Sequence, residues 1–473
     1  MMFNSFVFPL FLLVVWTCYV CLTRRAQNVL LLVSSYVFYG WWDWRFLSLL
    51  ALSTVCNYFC ALFIERDNRK KNIYLIISLC VNLGMLCFFK YFHFFTDSFV
   101  DFLSIFGFYP TFGTLNIILP VGISFYTFQT IAYMADVYRG RQKATHDYLA
   151  FSIYVSYFPQ LLAGPISRST QLLPQIQNDR TVTHDQIYSG CQLIFMGYFK
   201  KIVIADGLVA PIGICFEAPH VMLGGVALYI GLWLLALQIY CDFSGYTDIA
   251  RGVSRLFGIE LLLNFRQPYL APNITEFWRR WHISLSTWLR DYIYIPLGGN
   301  RRGATRSNIN LMTTMLLGGL WHGASWTYVI WGGLHGVYLV IHRLILQGKK
   351  REHLMGHTIM SQLSYAMFVF LTFNLVCVAW LLFRAQSFSA VLNYLRWMCI
   401  PILGKIDHVG FYLVVYGGMC ILIDIMCFAQ NSDVPFPGKR PSNYVRGVVY
   451  AIMLFMILFI GDTIALPFIY FQF

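Results

Sequence analysis

The sequence predicts an all-α, polytopic membrane protein, and its composition, its long apolar runs and the placement of its charges each support this fold class. Of the 473 residues, 58% are hydrophobic and only 12% are charged, a balance far from that of a soluble domain. A bilayer core of about 30 Å needs roughly 20 apolar residues per helix, so the repeated apolar runs predict about 11 to 13 transmembrane or re-entrant helices. No soluble domain is left over, and we expect one transmembrane domain over residues 1–473.

The net charge of +13 is concentrated in the short gaps between apolar runs, as the positive-inside bias requires. Membrane topology therefore explains the charge better than a nucleic-acid partner does. Basic gaps at residues 24–25, 66–71 and 139–143 follow the first, third and fifth runs, which predicts that all three gaps are cytoplasmic. The same counting places both chain termini outside.

The first run, residues 3–22, lacks a small-x-small cleavage site, and we interpret it as a retained span.

The charge count fails between residues 148 and 250. Apolar runs at 148–162, 187–204 and 225–239 would place the basic stretch that follows on the wrong side of the membrane. We therefore expect at least one of these runs to be re-entrant or half-spanning. Gly164-Pro165 is the predicted breaking point.

Residues 242–306 are polar for a membrane protein, yet large apolar side chains recur within them at helical spacing. These side chains are Trp278, Trp281, Leu285, Trp288 and Tyr292. Asn273 precedes them with Glu276 three residues later, a cap-like helix start. The pattern predicts one amphipathic helix at the cytoplasmic interface, with tryptophan on one face and arginine on the other.

A histidine, His322, lies between two apolar segments, residues 309–320 and 326–341, with basic clusters beyond both. Both outer ends are then cytoplasmic, and the first segment is short for a full span. His322 is therefore predicted at the tip of a hairpin, inside the membrane or near its far face. Ionisable groups at that depth usually line a cavity; the alternative is a neutral structural histidine bonded to a backbone carbonyl.

A second histidine, His282, lies on the predicted interfacial helix, where site residue and exposed surface histidine are equally good interpretations. Glycines around His322 permit close approach of either a helix or a ligand. The sequence contains no G-x-S-x-G, G-x-G-x-x-G, Walker or H-E-x-x-H motif. We expect neither a bound metal nor a cofactor.

Five sequence strings carry a resemblance to a known family. They are LLAGPI at 161–166, YCDFSGYTD at 240–248, NITEFWRRWHISLSTWLRDY at 273–292, IPLGGN at 295–300 and LWHGASW at 320–326. The strings strongly resemble the membrane-bound O-acyltransferase (MBOAT) family, in its bacterial branch of AlgI, PatA and DltB type, most densely over residues 231–336. This resemblance implies a ring of helices around a funnel open to the cytoplasm. It implies that His322 is the family's catalytic histidine and His282 its second polar residue, a position where eukaryotic relatives commonly carry asparagine.

The function implied by the resemblance is O-acyl transfer at the bacterial inner membrane, with both termini periplasmic. An acetyl group would pass from cytoplasmic acetyl-CoA to a periplasmic SGNH-type O-acetyltransferase, for a polysaccharide such as peptidoglycan or alginate. His322 would act as general base, and His282 or backbone amides would stabilise the oxyanion. Candidate ligands for the donor's phosphates are Arg279, Arg280, Arg290, Arg301 and Arg302.

The aromatic carboxyl terminus carries one phenol, Tyr470, and resembles terminal motifs in this branch that are implicated in acyl transfer. Tyr470 is accordingly a candidate acyl carrier, and an interfacial aromatic anchor is the alternative. Two other functions stay open: D-alanyl transfer from a carrier protein to teichoic acid, and a proton-coupled transporter with relaying histidines. A transporter predicts inverted repeats, and none is clear in the sequence. The polysaccharide itself is not fixed by the sequence.

Overall fold

The computed structural model describes residues 1–110, 115, 117–217, 223–345, 359–400, 406–436, 442–460 and 466–468. The chain divides into two compact units, residues 1–191 with 250–262 (unit 1) and residues 192–249 with 263–473 (unit 2). Throughout the described ranges the regular structure is helical, without a β-strand. The predicted all-α class is confirmed, whereas a single domain over residues 1–473 stays a prediction.

Unit 1 is built from helices of very different length. They are α1 (Val7–Val20), α2 (Arg24–Asp43), α3 (Leu47–Arg66), α4 (Lys71–Leu86), α5 (Phe92–Ser104), α6 (Ile123–Tyr138), α7 (Tyr148–Ser156), α8 (Phe158–Leu161) and α9 (Ser169–Gln177). A further helix, α10 (His184–Tyr198), begins in unit 1 and ends in unit 2.

Unit 2 contains the long helix that carries one of the family-like strings and the hairpin that carries His322. Its helices are α11 (Val209–Glu217), α12 (Gly225–Leu256, whose last residues belong to unit 1), α13 (Ile274–Arg280), α14 (Ile283–Leu289), α15 (Gly303–His322), α16 (Trp326–Ile345), α17 (Ile359–Arg384), α18 (Phe388–Met398), α19 (Ile406–Tyr412), α20 (Gly418–Ala429) and α21 (Asn443–Phe459). A π-helical segment, Phe199–Ala205, extends α10.

Six helical segments among the described residues are long and apolar enough to cross a membrane. They are Arg24–Arg66, Lys71–Ser104, Gly225–Leu256, Trp326–Ile345, Ile359–Arg384 and Val409–Ala429. α1 and α21 are apolar but shorter. A multi-pass membrane protein is thus confirmed, while the number of 11 to 13 spans and the funnel stay predictions.

The run at 148–162 is interrupted, as predicted, and it contains one further break. α7 has 9 residues and α8 has 4, so α7 is only about 14 Å long, too short to cross a bilayer. Gly164-Pro165 lies in the non-helical stretch between α8 and α9, as predicted. A second break, at Tyr157 ahead of Pro159, was not predicted. Proline lacks an N–H and clashes with the preceding turn, which ends α7 here.

The prediction of one amphipathic helix over residues 273–292 is wrong. Its start is correct, since the Asn273 side chain accepts a hydrogen bond from the Glu276 N–H at 2.9 Å. The helix ends at Arg280, however, and α14 begins at Ile283, so Trp281 and His282 form a break. Both residues are buried. Residues 242–256, the first part of the polar stretch, continue α12.

Candidate active site

The hairpin of α15 and α16 places His322 at its tip, as predicted. α15 ends at His322, and α16 begins at Trp326 after a loop of three residues. α15 is longer than the short segment that the sequence predicted: its 20 residues extend about 30 Å, close to the thickness of a bilayer core.

Glycines let the two helices of the hairpin touch through their backbones. A Cβ atom on Gly319 would lie 2.3 Å from the Tyr328 carbonyl oxygen, and one on Gly332 would lie 2.2 Å from that of Met315. At Gly323 a Cβ atom would collide with the Tyr328 ring at 2.2 Å. These glycines therefore serve helix packing, one of the two interpretations left open by the sequence.

His322 is packed among aromatic rings and is 3% exposed. Its ring centre lies 4.9 Å from that of Trp331 and 5.5 Å from that of Phe383, both in edge-to-face geometry. The adjacent Trp321 ring is at 5.0 Å. This close packing fixes the plane of the imidazole.

His282 is completely buried, at 0% exposure, and has a left-handed backbone with φ 41° and ψ 57°. Asn264 supports this turn from a neighbouring segment. Its carbonyl oxygen accepts the Ile283 N–H at 2.9 Å, and its side-chain oxygen accepts the Ser284 N–H at 3.3 Å. The interpretation of His282 as an exposed surface histidine is therefore wrong.

The two imidazoles face one small region of unit 2. Their ring centres are 6.4 Å apart, and neither nitrogen of His282 has a hydrogen-bond partner within the described part of the chain. The Phe243 ring meets the His282 ring edge-to-face at 4.7 Å. The two rings are therefore close enough for one reacting group to contact both.

Burial determines the charge of His282. Removal from solvent lowers the pKa of its imidazole to about 3, because a buried ring disfavours the charged form. His282 lies outside the six candidate membrane spans. It is a neutral imidazole at physiological pH, able to donate one hydrogen bond and accept another.

Two buried lysines position the part of α12 that faces His282. The Lys201 ammonium is 2.8 Å from Asp206 and 2.7 Å from Asp242, and that of Lys200 is 2.8 Å from Asp248. Beside them, a Cβ atom on Gly197 would lie 2.6 Å from the Gly245 carbonyl oxygen, so α10 and α12 are in direct contact. These residues were not predicted from the sequence. The signal was available, because charges inside an apolar run are costly and need partners.

A third buried histidine, His335, was also missed. It lies one turn after Trp331 on α16, with their ring centres 4.7 Å apart, and it stacks on Phe277 at 6.0 Å. In the described structure neither of its ring nitrogens is hydrogen bonded. Trp331 thus contacts both His322 and His335.

The five arginines predicted to bind the donor differ in their surroundings. Arg279 is 2.5 Å from Glu276, Arg290 is 2.8 Å from Asp291, and Arg280 donates to the Leu270 carbonyl at 3.2 Å. Arg301 and Arg302 are exposed. They immediately precede α15, so they lie about 30 Å along this helix from His322.

Tyr470 lies outside the described residues, but the tail that leads to it is described at residues 466–468. Phe468 is 3% exposed. Its ring stacks on Tyr246 at 5.0 Å and lies 5.3 Å from Phe243. Phe243 also contacts His282, so the tail is in contact with the wall of the histidine site two residues before Tyr470.

Comparison with known proteins gives matches over the same region. The model of the MBOAT, membrane-bound O-acyltransferase family matches residues 142–383. The probable alginate O-acetylase AlgI of Pseudomonas aeruginosa is 44% identical over 82% of this chain and 72% of its own length. The peptidoglycan O-acetyltransferase of Helicobacter pylori is 33% identical over 100% of this chain and 98% of its own. The teichoic acid D-alanyltransferase of Bacillus subtilis is 28% identical over 58% and 70% respectively.

The family match covers just over half of the chain and includes both His282 and His322. It also includes α12 with Phe243, so the match spans the histidine site itself. The similarity to the Helicobacter pylori protein extends over the whole chain. The chain therefore belongs to the membrane-bound O-acyltransferase family, in its bacterial AlgI- and PatA-like branch, and it is an acyltransferase.

Proposed function

We propose that the chain is an inner-membrane O-acetyltransferase that passes an acetyl group from cytoplasmic acetyl-CoA toward a periplasmic SGNH-type transferase. The final acceptor would be a cell-envelope polysaccharide, either alginate or peptidoglycan. The observation that carries the proposal is the pair of buried imidazoles 6.4 Å apart, in a chain of an acyltransferase family. Family membership leaves the transporter alternative without support.

The relatives favour acetyl over D-alanyl transfer. Relatives named for O-acetylation match 82% and 100% of this chain, at 44% and 33% identity. The relative named for D-alanyl transfer matches 58% at 28% identity. D-alanyl transfer from a carrier protein stays the second candidate.

In the proposed mechanism, His322 removes the proton from an acceptor hydroxyl as its oxygen attacks the thioester carbonyl carbon. The neutral His282 ring donates a hydrogen bond to the oxyanion that forms. When the carbon–sulfur bond breaks, the thiolate takes the proton held by His322, and the products are an ester and the free thiol. Arg301 and Arg302 are exposed candidates for the donor's phosphates.

The test is transfer by the purified full-length chain incubated with acetyl-CoA labelled in the acetyl group. We expect His322→Ala to lower thiol release and acetyl transfer by at least about 100-fold, the effect of losing a general base. His93→Gln, at an exposed histidine of α5, is the matched control and should keep full activity. Transfer from a D-alanyl carrier protein, with none from acetyl-CoA, would show that the donor is wrong.

We further propose that Tyr470 receives the acetyl group as an aryl ester. The supporting observation is that the Phe468 ring packs against Phe243 and Tyr246, and Phe243 in turn contacts His282. Two residues of extended chain span about 7 Å, a length that would bring the Tyr470 phenol to the histidine pair. The phenol would give its proton to His322 and later pass the acetyl group to the periplasmic transferase.

Tyr470→Phe keeps the ring but removes the nucleophilic oxygen. We expect this variant to lose the acetyl-tyrosine peptide in mass spectrometry of protein trapped with labelled acetyl-CoA, and to lose polymer acetylation in cells. Tyr444→Phe, at an exposed tyrosine of α21, is the matched control. Normal polymer acetylation by Tyr470→Phe would show that Tyr470 is an aromatic anchor and not a carrier.

A further inference from the structure

Unit 1 contains a cleft that the proposed function does not use. The end of α3, the start of α4 and the segment after α6 enclose a volume of about 480 Å³, within the range of small-ligand sites. We call it the basic cleft. Its lining residues come from 64–71 and 137–144, and so include parts of two gaps that the charge pattern predicts to be cytoplasmic.

Positive charge dominates the basic cleft. Four cations line it, Lys71, Arg139, Arg141 and Lys143, against one lining carboxylate, Glu65. Arg141 is 3.4 Å from Asp136, and its side chain stays 49% exposed. Lys143 is exposed and has no ion-pair partner among the residues that the structure describes. The cleft therefore keeps an excess of positive charge.

The arginines of the basic cleft stand on a rigid turn. α6 ends in a Schellman motif, in which the Arg141 N–H donates to the Asp136 carbonyl at 2.9 Å and the Gly140 N–H to that of Val137 at 3.0 Å. Gly140 has φ +69°, a conformation that glycine adopts without strain. Arg139 and Arg141 are thus held on either side of a fixed backbone.

The three helices that form the walls of the cleft are joined to one another by side-chain hydrogen bonds. The Asn82 side-chain amide donates to the Asn57 oxygen at 2.9 Å, and the Thr130 hydroxyl donates to the Asn82 oxygen at 3.0 Å. These bonds join α3, α4 and α6. Polar side chains that bond across apolar helices resist their separation, so the cleft is preformed.

One donor in the lining is left without an acceptor. The Gln142 side-chain oxygen accepts the Ser169 hydroxyl at 2.8 Å, which orients the amide. Its nitrogen is buried and finds no hydrogen-bond partner within the described residues. An unsatisfied buried donor costs about 1–3 kcal/mol, and a rotation of this amide toward the cleft would let an anionic oxygen remove the cost.

We propose that the basic cleft binds a phosphate ester. Arginine and lysine supply charge-assisted hydrogen bonds to phosphate oxygens, and the Gln142 amide, once rotated toward the cleft, would supply a neutral one. Two sources carry this chemistry at a cytoplasmic surface: the headgroup of an anionic phospholipid and the phosphates of CoA. Binding of a lipid headgroup would be independent of the proposed transfer reaction, whereas binding of CoA rests on the proposed function, in which acetyl-CoA is the donor.

The test is binding to the purified full-length chain, with dioctanoyl phosphatidylglycerol and CoA titrated separately. We expect Arg141→Gln/Lys143→Gln to weaken binding of at least one probe about tenfold or more. Arg69→Gln/Lys70→Gln removes the same charge from a neighbouring exposed turn outside the lining and should bind like the parent. Lys143→Gln alone serves if the double variant proves unstable.

The two probes separate the sources. Loss confined to phosphatidylglycerol identifies a lipid site, and loss confined to CoA identifies a nucleotide site. Equal loss in the cleft and control variants would mean that binding follows net charge alone. Either that result or unchanged binding of both probes in the cleft variants would overturn the proposal.

Discussion

His282 combines complete burial with a backbone conformation that few non-glycine residues adopt. A left-handed non-glycine residue costs about 1–3 kcal/mol and persists only where its surroundings enforce it. Here Asn264 bonds to the two residues that follow. Such positions concentrate at functional sites. The sequence did not reveal this one, because neither glycine nor proline marks the break between α13 and α14.

Substitutions at His282 should separate its hydrogen-bonding role from its packing role. Asparagine tolerates the left-handed conformation and keeps a donor, so we expect His282→Asn to retain activity within about tenfold of the parent. His282→Leu removes the donor and should lower kcat about 100- to 1,000-fold. Acetyl transfer and Tm are measured together, and equal activity of the two variants at equal Tm would contradict the role in oxyanion stabilisation.

The low pKa of His282 also predicts how stability depends on pH. Its pKa is about 3 when folded and near 6.5 in an unfolded chain, so between these values the unfolded chain binds a proton that the folded chain excludes. The neutral, buried His282 therefore contributes to the free energy of unfolding in full above about pH 6.5. This contribution is lost as the pH falls toward 3. We expect the fall in Tm on acidification to be shallower in His282→Asn; parallel curves would contradict this.

At the scale of helices, the position of the hairpin tip was predictable from the sequence, but the position of the break within residues 273–292 was not. The hairpin tip at His322 followed from basic clusters on both sides of it. The break at Trp281 and His282 did not, because apolar residues keep helical spacing across it. Tyr157 is a similar case: the break at Gly164-Pro165 was predicted, but the break ahead of Pro159 was not.

Two adjacent glycines of α16 offer a matched test of hairpin packing. A Cβ atom on Gly332 would lie 2.2 Å from a backbone oxygen, whereas one on Gly333 would lie 3.3 Å from a movable leucine side chain. Overpacking a fixed contact costs about 1–3 kcal/mol, so Gly332→Ala should lower Tm and activity clearly more than Gly333→Ala. Equal effects would show that backbone contact does not hold the hairpin.

Lys201 provides a second test at this scale, for the attachment of α12 to the end of α10. Removing one partner from a buried charge network costs about 3–5 kcal/mol, so we expect Lys201→Met to lower Tm strongly. Lys201→Arg keeps the charge and should recover part of the loss. Lys70→Met, at an exposed lysine, is the control. A Tm for Lys201→Met equal to that of the control would contradict a structural role for these ion pairs.

For the whole chain, composition and charge placement were sufficient to predict an all-α membrane protein, and the family-like strings were sufficient to predict its family. Details that depend on residues distant in sequence were not predictable. The fold of unit 2 brings distant residues together: Lys201 forms an ion pair with Asp242, and the Asn264 side chain accepts a hydrogen bond from Ser284. Sequence spacing indicates which residues share a face, but not which faces meet.

The predicted topology can be tested on the whole chain. We expect alkaline phosphatase fused after the carboxyl terminus to be active, because the basic gaps are predicted to be cytoplasmic and both termini periplasmic. Fusions within residues 66–71 or 139–143 should be inactive and serve as controls. An inactive carboxyl-terminal fusion at normal expression would contradict the periplasmic tail on which the role of Tyr470 depends.

The position of His322 as the last residue of α15 has an electrostatic consequence. Peptide dipoles along a helix sum to about half a negative charge at its carboxyl end, where a cation is stabilised by about 0.3–1 kcal/mol and by more in buried settings. The helix dipole would thus stabilise the imidazolium that forms when His322 takes a proton during the proposed transfer. The helix that ends at His322 would therefore help the imidazole to hold the proton.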